Sequence, residues 1–213
     1  MILELSGEYH TLNMVPGTSV HGERLIYREG REYRHWDPYR SKLAAYMKQG
    51  GSLKLGTDDH LLYLGAGDGT TVSHLSDILV HGLILAVEFS PRPFGNLLRL
   101  ADKRKNILPV LADARDPGSY HGILPEVDFM YQDIAQPDQA DIFVKNFDHY
   151  KPLKAGLAIK ARSIDVSRKP AHVFTEVGKY LNSMGFDILD KRDISRWQKD
   201  HAIIMAERSN NSV

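Results

Sequence analysis

From Leu61 onward short apolar runs alternate with segments of helical spacing, an order that few folds accommodate. The runs lie at 61–64, 83–89 (LILAVEF), 107–112 (ILPVLA), 127–132 (VDFMYQ) and 157–161 (LAIKA). Helical spacing occupies 70–80, 93–104, 138–150 and 170–184. Strand–helix–strand order predicts an α/β fold, a parallel sheet wrapped by helices. Right-handed crossovers give such a sheet one carboxyl edge, where its loops gather and bind ligands. The end departs from the rhythm. GFDILDKRDI and HAIIMAER read as two strands with no helix between them, an antiparallel pair added to the sheet.

Residues 1–55 follow another pattern, with Pro/Gly turns, short β-like runs such as ERLIYRE, and a helix from Ser41 to Lys48. A break at Gly50-Gly51-Ser52 separates a small β-rich N-terminal domain, 1–55, from the α/β domain, 56–213. A chain of 213 residues, 42% hydrophobic and 25% charged, can bury one good core with a small appendage. It has no run of about 18 apolar residues, so no membrane span is expected. The opening MILELSGEYH carries acids where a signal peptide carries lysines, so a cytoplasmic protein is expected.

There are no cysteines, which excludes disulfides, thiolate metal sites and a cysteine nucleophile. The ten histidines include no H-x-x-x-H pair, and no metal is expected. Lys plus Arg and Asp plus Glu balance at 27 each. A protein that held nucleic acid alone, by charge, would be more basic. Either nucleic acid is not the substrate, or a partner does most of the holding.

The first strand runs into glycines: LLYLGAGDGTTVSHL, Leu61 to Leu75. A P-loop needs G-x-x-x-x-G-K-[ST], and no lysine follows here. A dinucleotide loop needs G-x-G-x-x-G, and Thr70 stands at the third position, although Gly69 is beside it. The G-x-G-x-G form is that of S-adenosylmethionine-dependent methyltransferases. There Gly65, Ala66 and Gly67 would let the backbone approach the methionine part and its sulfonium. A tight turn that only glycine fits would also explain the loop. Glu88, 23 residues after Gly65, ends the second strand, where an acid can accept both ribose hydroxyls of an adenosine. Asp113 ends the third strand in LADAR, placed for an adenine edge. Each alone could be a cap or a turn residue, but together on one sheet edge they point to an adenosine ligand.

The strings LYLGAGDGTTVSHLSDI, AVEFSPR, LADAR, YQDIAQP, IKARSID and WDPYRSKLAA together resemble the fibrillarin family in its archaeal form, from about Tyr33 to Arg208. Two features depart from common patterns. The loop reads GAGDG where the family more often has a GAASG-like string, and Tyr63 stands where many methyltransferases carry an acid. The resemblance implies a Rossmann-like class I methyltransferase fold, a mostly parallel seven-stranded sheet ending in an antiparallel hairpin. It implies guide-directed 2′-O-methylation of rRNA, and in archaea tRNA, with S-adenosyl-L-methionine as cofactor. The implied partners are a Nop-type scaffold protein, a kink-turn-binding ribosomal-type protein and a box C/D guide RNA. Carried over by motif, it implies cofactor contacts at Thr70, Thr71, Glu88, Phe89, Asp113, Ala114, Asp133, Ile134, Ala135 and Gln136. It implies a catalytic set of Lys42, Asp133, Lys160 and His201. The lack of a Gly/Arg-rich leading tail fits an archaeal cytoplasmic protein.

The chemistry supports part of this set independently. A 2′-hydroxyl is a poor nucleophile until its proton is being lost, so a base or cation must stand beside it. Lys160, at a strand end in a crowded pocket, can serve, since desolvation and neighbouring cations lower a lysine pKa. Asp133, ending the adjacent strand, is expected to orient Lys160, with Lys42 and His201 shaping the pocket. The bland alternatives are an Asp133 that caps the next helix, solvated lysines at 42 and 160, and a turn histidine at 201. The missing cysteine argues against pyrimidine C5 methylation. DIAQ replaces the [DN]-P-P-[YF] string of amine methylation, and Asp37-Pro38-Tyr39 only superficially matches it. Segment 24–48 holds seven Arg/Lys against three acids, interleaved with Tyr27, Tyr33, Trp36, Tyr39 and Tyr46. Such a surface can touch an RNA backbone and stack on bases, unless the aromatics pack inward. A non-catalytic cofactor-binding subunit and an NAD-dependent dehydrogenase remain alternatives.

Overall fold

The computed structural model describes residues 1–209, which form two sheets. β1 (Ile2–Leu5), β2 (Glu8–Leu12), β3 (Leu25–Arg28) and β4 (Arg31–His35) make an antiparallel sheet in the order β1-β2-β4-β3. Its hairpins turn at Ser6-Gly7 and Glu29-Gly30, all four residues having positive φ, the geometry that matches strand twist. Ser41 then caps α1 (Lys42–Lys48), its hydroxyl accepting from the Ala44 N–H. Leu43 to Met47 are buried in the core beneath the second sheet.

That sheet has seven strands: β5 (Leu61–Leu64), β6 (Ile84–Glu88), β7 (Ile107–Leu111), β8 (Phe129–Gln132), β9 (Lys154–Lys160), β10 (Phe186–Asp193) and β11 (His201–Arg208). Their order is β10-β11-β9-β8-β5-β6-β7, parallel from β9 to β7, with β11 antiparallel to both β9 and β10. The expected closing hairpin is present, and β11 lies inside it against β9. The strand β9 begins at Lys154, ahead of the apolar run at 157–161. The helices are α2 (Thr70–Ile78), α3 (Pro91–Lys103), α4 (Gln139–Tyr150), α5 (Ala161–Ile164) and α6 (Pro170–Ser183). None among the described residues is long and apolar enough to cross a membrane.

Alternate residues of β5 feed different cores, as a strand covered on both faces requires. Leu62 and Leu64 join Phe143, Phe174 and Phe186 on one side, while Leu61 and Tyr63 join Trp36, Leu75 and Leu97 on the other. Strand order reverses at β5, whose neighbours are β6 and β8, and the loops after β5 and β8 emerge side by side. A cleft is expected at this switch point.

A buried ionic network joins the two sheets. Asp77 of α2 accepts from the Thr11 hydroxyl, the Met14 N–H, Arg34 Nε and Arg104 Nη1, with no exposure to solvent. His74 stacks on Trp36, ring centroids 5.1 Å apart. The basic, aromatic segment 24–48 is therefore largely interior. Tyr33, Arg34, Trp36 and Tyr46 are buried, leaving Tyr27 and Tyr39 as its exposed aromatics. Arg34 is paired with Asp77 inside the network, and of the two readings of this segment the inward packing holds for Tyr33, Trp36 and Tyr46.

Candidate active site

The site is built on the carboxyl edge of the parallel strands. After β5 the chain turns through Gly65, Gly67 and Gly69, all with positive φ, and α2 begins at Thr70. At Gly65 a Cβ would stand 2.5 Å from the Asp133 carbonyl oxygen, so only glycine lets the loops after β5 and β8 touch. At Gly67 a Cβ would meet no atom within 4 Å. Gly67 lines a cleft of about 330 Å³, and a side chain there would project into open space.

The cleft is lined by Gly65, Gly67, Glu88, Phe89, Asp113, Ala114 and the whole run from Asp133 to Gln136, ten of the residues expected at the cofactor. Ala66, Thr70 and Thr71, also expected there, do not line it. Glu88 is buried at the floor, its carboxylate accepting from the Gly67 and Ser90 N–H groups, each at 2.7 Å. A carboxylate has room for further donors beyond these two. Phe89 stands 64% exposed at the rim, an unusual place for a phenylalanine and a ready stacking surface. The Asp113 carboxylate accepts from the Arg115 N–H at 2.9 Å.

Beside the cleft the four residues expected to be catalytic converge from four parts of the chain. α1 delivers Lys42, whose Nζ lies 2.8 Å and 3.0 Å from the two carboxylate oxygens of Asp133. The ion pair is half-buried, with side-chain exposures of 21% and 18%. Lys160 ends β9 and His201 opens β11, and the two are register partners in the antiparallel ladder. His201 Nδ1 lies 2.6 Å from the Lys199 carbonyl oxygen, which requires the proton on that nitrogen. Burial pushes the His201 pKa below its ordinary value. The Lys199 carbonyl and Asp133 oppose that shift, while Lys42 and Lys160 reinforce it. His201 thus lies within the field of the other three.

The partner of Asp133 differs from the expected one. Its carboxylate is held by Lys42, and no carboxylate of the described residues pairs with Lys160 Nζ. The reason is tertiary, since α1 is brought over the sheet from a segment with no local link to β8. Asp133 does not cap the following helix either, for the residue at that cap is Asp138.

Two features of the site were not visible as patterns. Gln139, fully buried, accepts the Lys160 N–H at 3.1 Å, and its amide donates to the Gln136 carbonyl at 2.8 Å. It ties the end of β9 to the loop after β8. Thr71 donates to Ser41 at 3.0 Å, which fixes α2 against the cap of α1. Nothing in the sequence separates Gln139 or Ser41 from ordinary helix-start residues. Among the described residues no group of three or more His, Cys, Asp or Glu is placed to hold a metal ion.

A seven-stranded, mostly parallel sheet with its penultimate position reversed, and a glycine loop at its switch point, defines the Rossmann-like methyltransferase fold. Within that class the family profile for fibrillarin matches residues 3–210, and the chain belongs to the fibrillarin family. The fibrillarin-like rRNA/tRNA 2′-O-methyltransferase of Methanosarcina acetivorans is 47% identical over 203 residues, 92% of this chain and 89% of the relative. Aeropyrum pernix fibrillarin, solved with natively bound S-adenosyl-L-methionine, is 42% identical with a TM-score of 0.84, covering 96% of this chain and 92% of that one. A fibrillarin solved in a fibrillarin/Nop5p complex is 41% identical with a TM-score of 0.89, covering 97% of each chain.

Proposed function

We propose that this chain methylates the ribose 2′-hydroxyl of rRNA and tRNA, using S-adenosyl-L-methionine, within a box C/D particle where base pairing to a guide RNA selects the nucleotide. The observation that carries the reading is the placement of Lys42, Asp133, Lys160 and His201 beside a cleft whose wall already contains Asp133. The residues fit the cofactor: Gly67 leaves open space, Glu88 offers acceptor capacity to ribose hydroxyls, Phe89 offers a stacking face, and Asp113 offers a carboxylate for an amino edge. Ala114 and the Asp133–Gln136 run complete the wall, and we keep Ala66, Thr70 and Thr71 as contacts at the edge of the glycine loop. When bound, the cofactor supplies a methyl group on a positively charged sulfur. Lys160, free of a carboxylate partner, is the group we place beside the 2′-hydroxyl, where a cation stabilises the oxygen as its proton is lost. Asp133 and Lys42 hold one another, which fixes Asp133 in the pocket wall and Lys42 beside it. His201, kept neutral by burial, bounds the pocket without adding charge.

We assign cofactor binding to the 56–213 domain, with Lys42 contributed from the 1–55 segment. A Nop-type scaffold protein and a kink-turn-binding protein supply most of the RNA affinity, a reading that the balance of charges in this chain supports. The particle operates in the archaeal cytoplasm.

The test is labelled methyl transfer in the particle assembled with scaffold, kink-turn protein and guide, against a parallel substrate with a 2′-deoxy target nucleotide. Label on the ribose substrate alone is expected, and Lys160→Ala should lower its rate by about 100-fold or more. Equal label on both substrates would refute the oxygen target. No label on either, in a particle shown to hold cofactor, would favour a scaffold role.

A further inference from the structure

Arg115 has no role in the reading above, yet it touches both rims of the cleft. Its own N–H donates to Asp113 Oδ1 at 2.9 Å, fixing that carboxylate on the loop after β7. Its guanidinium reaches across to the loop after β8. Nε donates to Asp138 Oδ2 at 2.9 Å, Nη2 to Asp138 Oδ1 at 3.1 Å, and Nη2 also to Gln136 Oε1 at 3.2 Å. This is the two-pronged arginine–carboxylate geometry, which fixes direction as well as distance.

The sheet order gives that reach its meaning. β7 and β8 are not neighbours, since β6 and β5 lie between them. Three strand spacings separate them, about 14 Å. The glycine loop and Glu88 emerge from the two strands in between. A side chain that joins the outer loops therefore ties together the two sides between which those groups emerge. The base of the loop after β7 is anchored separately, by buried Asn146, which donates to the Ala114 carbonyl at 2.8 Å. Arg115 fastens the upper rim, where its side chain and that of Asp138 are 47% and 40% exposed. The hydrogen bond from Arg115 holds the Asp138 carboxyl below its usual range.

We propose that Arg115 is a positioning residue for the cofactor, a latch that sets the width of the cleft at its adenosine end and so governs cofactor affinity rather than turnover. The inference rests on the cofactor reading above. A lone exposed ion pair would do little. This one joins two loops that must otherwise be ordered when ligand enters, and ordering done in advance is gained as affinity.

The experiment titrates the full chain with S-adenosylhomocysteine by calorimetry and follows methyl transfer in the assembled particle. Arg115→Ala is expected to weaken binding by about five- to twentyfold, and to raise the KM for S-adenosylmethionine by a similar factor while kcat changes by less than about twofold. Asp138→Asn, which disarms the latch from the other rim, should give the same split. Arg115→Lys should recover only part of the affinity, because an ammonium cannot span both oxygens. Raising the salt concentration should erode the affinity of the unsubstituted chain towards that of Arg115→Ala. Unchanged cofactor affinity in Arg115→Ala, or a rise confined to the KM for RNA, would overturn the latch. Failure of the unsubstituted chain to bind S-adenosylhomocysteine would overturn the cofactor reading itself, a result separable from either.

Discussion

Lys42 meets Asp133 because two hydroxyls hold its helix in place. Ser41 caps α1, and Thr71 donates to Ser41 from the first turn of α2. Thr71→Val keeps the shape and removes that bond, at a stability cost of about 1 kcal/mol. Turnover should fall several-fold while the affinity for S-adenosylhomocysteine stays within about threefold, a split that calorimetry and single-turnover methylation would reveal. A large loss of affinity instead would mean that Thr71 touches the cofactor directly. At this scale the residues that end parallel strands were legible: Glu88, Asp133 and Lys160 each stand where an apolar run gives way to a polar group. Lys42 was not, because nothing local marks one lysine in a short helix. Only the family resemblance singled it out. The partner expected for Asp133 missed for the same reason, since sequence order shows which strands are parallel but not which helix will be laid over their ends.

The loop between β5 and α2 uses its glycines for different ends. Gly65 lets two loops touch, whereas Gly67 faces the cleft with nothing near it. Gly65→Ala should therefore unfold at markedly lower denaturant, since its Cβ would drive into the Asp133 backbone. Gly67→Ala should fold with a loss of only about 1–2 kcal/mol, the left-handed backbone penalty, yet bind cofactor poorly. Paired denaturation and binding curves separate the two. The strands from β5 to β11 were legible because each buried strand is a bounded apolar run, and the hairpin because no helix intervenes, whereas the one-turn α5 carried no period to read. β1 and β2 were not, because half-exposed four- and five-residue strands carry too few apolar positions to show a period. Lys154 lay outside the apolar run of β9 because the strand begins at an exposed residue.

Across the molecule, the two sheets are joined by buried charge as well as apolar contact. His74 sits in that junction wholly buried. Desolvation first, then Arg34 and Arg104, push its pKa well below the ordinary 6.5. The unfolded chain therefore takes up protons that the folded one refuses as pH falls below about 6.5, so stability is complete above that value and declines beneath it. The slope is at most about 1.4 kcal/mol per pH unit for such a ring. Chemical denaturation at stepped pH should show this decline, and His74→Gln should flatten it whatever it does to stability at neutral pH. An unchanged slope in His74→Gln would place the acid sensitivity elsewhere.

The seating of β11 between β9 and β10 has a consequence for the order of assembly. During synthesis β10 leaves the ribosome before the one strand it can pair with exists, so it has no ladder to join until β11 follows it. Once made, β11 is the shared partner of β10 and β9, and its pairing with β9 brings His201 opposite Lys160. Without β11, β10 would have no partner and β9 would keep an open edge, so one strand both completes the sheet and sets His201 at the candidate site.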